Sequence, residues 1–230
     1  MQKIAKIIAQ SGLCSRREAE RWIEQCRVEV NGEIVTTPAI RVSDTDKITV
    51  DSKVIPQKPE PRLWLYHKPQ GLIVSHNDPE GRPTVFEKLP SHLPRVISVG
   101  RLDFNSEGLL LLTNDGEFAR KMETSDLERV YKVRVYGTPT ERTISYIQKG
   151  VRIEGITHKA KSVKILPINR EERKTNIWLE VILTEGKNRE IRKLFEHFGH
   201  PVSRIIRTQY GKYKLGSIKK GEGIIGVIKK

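Results

Sequence analysis

The chain has few cysteines, no long apolar run, no internal repeat and no low-complexity segment. Its only cysteines, Cys14 and Cys26, are too few in 230 residues for a disulfide framework and predict a reduced, cytoplasmic protein. No apolar stretch approaches the about 20 residues that a membrane-spanning helix needs, so no membrane partner is expected. The N-terminus lacks the continuous apolar core and cleavage site of a secretory signal.

Positive charge is what the chain has in excess. It contains 42 Lys and Arg against 28 Asp and Glu, which gives a net charge of +14. Residues 187–230 hold 12 of these basic residues and three Glu, whereas residues 1–55 hold nine basic and eight acidic residues. Either this excess is a merely solvated surface or it meets a polyanion, and its concentration favours a nucleic acid.

The first 55 residues predict a small module of two helices and a hairpin. Ile4, Ile7 and Ile8 have helical spacing, and Ser15 to Glu18 form a capping box at the start of a second helix. The apolar face of that helix is predicted to contain Ala19, Trp22, Ile23 and Cys26, with Arg16, Arg17 and Arg21 outside it. Asn31-Gly32, between two short strands, predicts a type I′ hairpin turn.

Three prolines between Pro56 and Pro61 predict an extended spacer, because proline cannot join a helix interior or a central strand. The predicted organisation is therefore a module at 1–55, a linker at 56–61 and a larger domain at 62–230. The larger domain mixes short strands with three helices, predicted near residues 117–122, 141–149 and 189–198, without regular βαβ alternation. This order predicts an α+β fold with a mixed, mostly antiparallel sheet flanked by helices.

Asp103 is the first candidate for chemistry. It follows Gly100-Arg101-Leu102 and precedes the apolar run Leu109–Leu112, which is short enough to be a buried strand. Its carboxylate is therefore expected at a fixed strand edge. From the residues alone, Asp103 is either the cap of a turn or an active-site acid.

Two other patterns are weaker. Gly221, Gly223 and Gly226 fit the dinucleotide pattern GxGxxG, but no helix or later acid follows to hold a nucleotide. His197 and His200 have neither a Cys nor an acidic partner for a metal, so no metal site is expected.

Several segments together resemble the RsuA/RluB/RluE/RluF family of RNA pseudouridine synthases. They are Gly100–Asp103, Glu128–Val133, Lys68-Pro69, Asn77–Phe86 and Arg189–Phe198. Residues 2–50 resemble the S4 RNA-binding domain. The resemblance implies that Asp103 is the catalytic acid, that Tyr131 stacks on the target base and that Arg192 pairs with Asp103. Lys68-Pro69 would be structural.

The large-subunit branch of this family is the most similar, which implies conversion of a uridine in 23S rRNA to pseudouridine by a monomer, at a stem-loop and without a cofactor. Asp103 would attack C1′ or C6, or assist deprotonation of the sugar. The predicted RNA-binding residues are Arg16, Arg17, Arg21, Arg82, Arg101, Lys187, Arg189, Arg204 and Arg207. The alternatives are a non-catalytic ribosome-assembly protein with an S4 module and an S4-linked RNA methyltransferase, although the latter needs a glycine-rich loop that is missing.

Overall fold

The structure is a computed structural model that describes residues 1–167 and 175–227. Its helices are α1 Ile4–Gln10, α2 Arg16–Glu24, α3 Gly116–Glu123, α4 Glu141–Lys149 and α5 Glu190–His197, with a 3₁₀ turn at Phe86–Lys88. Its strands are β1 Gln2–Lys3, β2 Val28–Val30, β3 Glu33–Ile34, β4 Arg41–Val42, β5 Ile48–Val50, β6 Lys53–Val54, β7 Arg62–Lys68, β8 Ile97–Val99, β9 Ser106–Thr113, β10 Arg129–Tyr136, β11 Val151–Ile153, β12 Ile156–His158, β13 Ser162–Ile165, β14 Asn176–Leu183, β15 Val202–Tyr210, β16 Tyr213–Lys214 and β17 Gly223–Val227. None of the helices in these two stretches is long and apolar enough to span a membrane.

The N-terminal module has its own core, formed by α1, α2 and the four-stranded sheet β3-β2-β5-β6. The predicted Ser15 cap is confirmed, because its hydroxyl accepts the Glu18 N–H at 3.1 Å. Asn31 and Gly32 have φ of 54° and 89°, as the predicted hairpin turn requires.

The prediction that Cys26 belongs to the core of this module is wrong. Helix α2 ends at Glu24, and Cys26 turns the chain with a φ of 59°, which leaves its side chain exposed. The helical spacing therefore does not extend to this residue. Cys14 is the cysteine that is buried in the module.

The larger domain is built on one sheet with the strand order β13-β14-β10-β15-β9-β7-β17; β8 also pairs with β9, and β16 with β15. All of these pairings are antiparallel except that between β9 and β15. The predicted mixed, mostly antiparallel sheet flanked by helices is therefore confirmed. The glycine pattern at Gly221–Gly226 leads into β17, an edge strand that pairs with β7.

Strand β9 is buried on both faces of the sheet. Leu109 and Leu111 belong to one core cluster, and Leu110 and Leu112 to the cluster on the opposite face. A central strand that is covered on both sides reads as a continuous apolar run, which explains the four leucines. At the end of β10, by contrast, Tyr136 occupies the last strand position and is 57% exposed.

Residues 56–61 form neither helix nor strand, and the end of this segment is attached to the junction between β9 and α3. The Asn114 amide donates to the Glu60 carbonyl at 2.9 Å, and its oxygen accepts the Arg62 N–H at 2.7 Å. Lys6 of α1 forms an ion pair with Glu117 of α3. The N-terminal module thus contacts the larger domain beside the strand that follows Asp103.

Candidate active site

A cleft of about 730 Å³ opens at the N-terminal end of β9. One wall, which we call the acid wall, is the loop at residues 98–106. The opposite wall, which we call the basic wall, is the segment at residues 183–192, and β10 and β15 form the floor. Asp103, Tyr131 and Arg192, which the sequence places up to 89 positions apart, all line this cleft.

The acid wall is held by a buried lysine. The Lys68 ammonium is fully buried and donates to the carbonyls of Asp103 at 3.1 Å, Phe104 at 3.4 Å and Ser106 at 2.8 Å. Burial lowers the pKa of Lys68 to about 8, against the opposing influence of the Asp103 and Glu107 carboxylates. One ammonium group therefore holds three carbonyls of the backbone around Asp103.

Asp103 itself is half-buried. The Ser106 N–H is bonded to its backbone carbonyl at 3.0 Å. Among the residues that the structure describes, no group hydrogen-bonds to its carboxylate. The turn is thus closed through the backbone, and the side chain is left available to the cleft, which argues against a mere turn cap.

Gly108 explains how β9 lies so close to β15. It pairs with Arg207 in the parallel ladder, and its φ is 108°. A Cβ built at this position would lie 2.3 Å from the Arg207 carbonyl oxygen, so no other residue fits. This close approach sets where the Asp103 loop ends relative to the floor of the cleft.

Arg192 lies in α5 and is only 7% exposed. Its Nη1 donates to the Val202 carbonyl at 2.9 Å and its Nη2 to the Asn105 carbonyl at 3.3 Å. Burial and the neighbouring Arg189 lower its pKa, whereas Asp103 and Glu196 favour the charged form. Within residues 1–167 and 175–227, no ion pair within 4.0 Å joins it to Asp103, so the expected bidentate pair is not formed. It contacts the acid wall through backbone instead.

Tyr131 is 8% exposed and lies on β10 between Val181 and Arg207 of the neighbouring strands. It belongs to the core cluster of the sheet and also lines the cleft. A ring in this position is fixed by packing on one side and presents its remaining surface to a ligand. This placement suits a stacking wall.

The predicted RNA-binding residues fall into two groups. Four are exposed and make no side-chain hydrogen bond or ion pair with the described residues, namely Arg16, Arg17, Arg101 and Arg189. Arg21 is exposed too, but it pairs with Glu18 at 3.0 Å. The others are occupied by protein groups. Arg82 binds Asp78 through two bonds of 2.9 and 2.8 Å, which holds the pKa of that carboxyl at about 2, and Arg204 pairs with Glu107. Lys187 binds Glu185 at 2.5 Å.

Arg207 departs furthest from the prediction. It is 2% exposed, and its Nε donates to the Leu109 carbonyl at 2.7 Å. A side chain in this position belongs to the floor of the cleft and not to a phosphate-binding outer surface. The sequence could not show this, because a basic residue in a strand is usually solvated.

Arg129 was missed at the sequence level. It is 6% exposed and lines the cleft together with Tyr210. Its position two residues before Tyr131 was the available signal, because side chains at i and i+2 lie on the same face of a strand.

Comparison with known proteins agrees with this architecture. The model of a family described as RNA pseudouridylate synthase matches residues 62–197, and the S4 domain matches residues 2–48. The chain belongs to the RNA pseudouridylate synthase family. A solved structure described as a pseudouridylate synthase is similar with a TM-score of 0.67 and 25% identity, over 99% of this chain and 96% of the other.

Curated relatives extend over nearly the same length. An uncharacterised RNA pseudouridine synthase of Rickettsia bellii is 52% identical over 96% of this chain and 95% of its own. The ribosomal large subunit pseudouridine synthase B of Bacillus subtilis is 35% identical over 96% and 91%, respectively. The chain is thus an RNA pseudouridine synthase with an N-terminal S4 domain. All residues that line its cleft except Ile205, Arg207 and Tyr210 lie in the matched region 62–197.

Proposed function

We propose that this pseudouridine synthase isomerises one uridine of 23S ribosomal RNA and that Asp103 is its catalytic residue. The observation that carries the proposal is the Asp103 carboxylate, which lines a basic cleft and whose backbone is held by Lys68. The relatives named ribosomal large subunit pseudouridine synthase B support the choice of RNA.

The charges of the cleft suit an anionic ligand. It is lined by Arg101, Arg129, Lys187, Arg189, Arg192 and Arg207, against Asp103, Glu123 and Glu190. Arg192 Nε and Arg207 Nη2 are buried, and the described residues give neither a hydrogen-bond partner. Neither guanidinium pairs with a carboxylate of the described residues, so the positive field of the two favours an anionic ligand such as a phosphodiester in the cleft.

The reaction breaks the N1–C1′ bond of uridine, rotates the base and forms a C5–C1′ bond. The C5 proton is released and N1 regains a proton, so the reaction is balanced without an oxidant or a second substrate. Asp103 supplies the carboxylate, as a nucleophile at C1′ or C6 or as a base toward the sugar. Tyr131 supplies a ring against which the base is held, and extrusion of the base costs a few kcal/mol, which contacts to flanking phosphates offset.

The N-terminal module and the larger domain have separate cores, which supports separate roles in RNA binding and in catalysis. We infer that residues 1–55 bind RNA through Arg16, Arg17 and Arg21, that residues 56–61 are the linker and that residues 62–230 carry the chemistry. Arg101 and Arg189, exposed beside the cleft, would contact the phosphates of a stem-loop. We propose that one copy of the chain suffices, because Asp103, Tyr131 and Arg192 of a single chain line one cleft.

Replacement of Asp103 by Asn tests the proposal. The variant keeps the shape of the side chain and removes its charge, so pseudouridine formation should be abolished while RNA affinity stays nearly intact. Tritium release from rRNA labelled at C5 of uridine measures turnover, and Asp126→Asn, an exposed acid outside the cleft, is the control. Residual turnover within about tenfold of wild type, equal to about 1.4 kcal/mol, would exclude Asp103 as the catalytic residue.

A further inference from the structure

Arg129 connects the two walls of the cleft. Together with Glu123 and Tyr210 it forms a hydrogen-bonded group, which we call the strut, between the acid wall and the basic wall. All three residues line the cleft.

On the side of the acid wall, the strut acts through Glu123. The Gly100 N–H donates to Glu123 Oε1 at 2.6 Å, and Gly100 lies three residues before Asp103. The backbone carbonyl of Glu123 in turn accepts Arg129 Nη2 at 3.3 Å. The start of the Asp103 loop is therefore linked to the guanidinium through the end of α3.

On the side of the basic wall, Arg129 Nη1 donates to the Thr184 carbonyl at 2.7 Å. Thr184 directly follows β14 and begins the segment that leads to α5 and Arg192. The same nitrogen also donates to the Leu127 carbonyl at 3.2 Å. One guanidinium thus fixes the entry of the basic wall relative to the end of α3.

Tyr210 keeps this guanidinium in place. Its hydroxyl accepts Arg129 Nη2 at 2.9 Å and donates to the Met122 carbonyl at 3.0 Å. The guanidinium carbons of Arg129 and Arg207 lie 4.6 and 5.2 Å from the centre of the Tyr210 ring. A planar fork of donors serves several fixed acceptors at once, which an ammonium group cannot do in the same geometry.

No carboxylate lies within ion-pairing distance of Arg129 in the part of the chain that the structure describes. A buried charge held by carbonyls and a ring is an expensive way to stabilise a fold, since a well-packed apolar residue often does as well. The guanidinium of Arg129 instead contributes directional hydrogen bonds, which fix the backbone at Glu123, Leu127 and Thr184 relative to one another.

We propose that Arg129 is a positioning residue that sets the separation between the Asp103 loop and the helix that carries Arg192. This inference rests on the proposed function, because it assumes that Asp103 reacts. Errors in positioning are felt mainly in the transition state, and a displacement of about 1 Å can reduce turnover by about 100-fold. The effect should therefore appear in kcat and not in KM.

Steady-state kinetics of pseudouridine formation on an rRNA fragment test the inference. Arg129→Gln is expected to lower kcat by about 100-fold with KM changed by less than about twofold, and Arg129→Lys to recover part of the loss. Glu123→Ala breaks the link to Gly100 from an exposed position and should lower kcat in the same way. Because both variants cut one chain of contacts, their effects in the double variant should be less than additive.

Arg142→Gln is the matched control. Arg142 contacts the Tyr146 hydroxyl at 3.3 Å and lies 5.7 Å from its ring, but on the exposed face of α4 outside the cleft. It should leave kcat and KM unchanged. Turnover is normalised to folded protein, measured by thermal unfolding, so that a loss of folded enzyme is not read as a loss of kcat.

The inference is overturned if Arg129→Gln keeps kcat within about threefold of wild type, or if the effects of Arg129→Gln and Glu123→Ala are fully additive. It is also overturned if the loss disappears after normalisation to folded protein. Failure of the proposed function is separate, because it would appear as an active Asp103→Asn variant.

Discussion

Buried cations in this protein bond mainly to backbone carbonyls and not to carboxylates. Lys68, Arg129, Arg192 and Arg207 are each less than 10% exposed, and each donates to at least one carbonyl around the cleft. Because a carbonyl carries no net charge, these side chains leave the cleft with a positive excess. They therefore fix the backbone without having their charge neutralised.

Lys68 makes catalysis sensitive to pH in a defined direction. Its pKa is about 8, so it loses its proton as the pH rises through that value. A neutral amine has only two N–H donors, and the Asp103 loop then loses part of its support. We expect kcat to fall with a midpoint near pH 8 on the alkaline side, measured on an rRNA fragment at constant ionic strength.

The stability of the fold should change in the opposite direction. The pKa of Lys68 is lowered on folding from 10.5 to about 8, so between these values the unfolded chain binds more protons. The contribution of this group to the free energy of unfolding therefore rises with pH across that range. Urea unfolding at the same pH values separates the two effects, and a kcat that stays constant to pH 9.5 would contradict the role of Lys68.

At the residue scale, the sequence correctly predicted which side chains lie in one cleft, but it did not predict their hydrogen-bond partners. Asp103, Tyr131 and Arg192 do line one cleft. Arg192, however, donates to backbone carbonyls and not to the Asp103 carboxylate. Which of these acceptors it reaches depends on the tertiary packing, which the spacing of residues along the sequence does not show. The error at Cys26 has another origin, since this residue lies beyond the end of α2, where the helical periodicity no longer applies.

At the scale of elements, the start of α5 combines strain with function. Its first flanking residue, Arg189, has a φ of 49° and makes no side-chain capping bond. A non-glycine residue in this region costs about 1–2 kcal/mol, and such strain is often found at functional sites. Arg189 is also exposed and lines the cleft. A need for its positive charge at this position would explain why the strain is retained.

Replacement of Arg189 by Gly should therefore raise stability and lower RNA affinity. We expect a gain of about 0.5–1 kcal/mol in urea unfolding, because Gly adopts the left-handed region without strain but is more flexible when unfolded. RNA binding should weaken, with a salt dependence that falls by about one unit of slope. Arg189→Ala, the control, removes the charge and keeps the strain, so an equal gain in stability from it would contradict this account.

Elements were predicted by apolar pattern, but their order in the sheet was not. The run of four leucines indicated a buried strand, and β9 spans Ser106–Thr113. Its parallel pairing with β15 joins segments about 100 residues apart, and it depends on the close approach at Gly108. Local sequence patterns cannot predict such a pairing, because it depends on which strand edges remain unpaired after the intervening chain has folded.

At the scale of the whole molecule, the separate cores suggest that recognition and chemistry can be divided. The N-terminal core and the two clusters of the large sheet share no residue. The strongest cross-contact given by the described residues is the Lys6–Glu117 ion pair, and surface pairs contribute little to stability. We therefore expect residues 56–230 to fold without residues 1–55.

Deletion of residues 1–55 should raise KM more than it lowers kcat. A cut before Pro56 keeps the two bonds between Asn114 and the backbone of Glu60 and Arg62, so the junction of β9 and α3 stays intact. Asp103, Tyr131 and Arg192 all lie in the remaining part. Affinity for a structured hairpin should fall because Arg16, Arg17 and Arg21 no longer contact its phosphates.

The full-length chain with these three arginines changed to Gln is the matched control, because it keeps the module and removes only its charges. Both proteins should show the same rise in KM, and the triple variant should lose about three units of salt slope in binding. If only the deletion raises KM, the module acts through its shape or through its contact with α3. If the deletion is inactive although folded, the module helps to build the cleft, since α3 also carries Glu123 and through it holds Gly100 of the Asp103 loop.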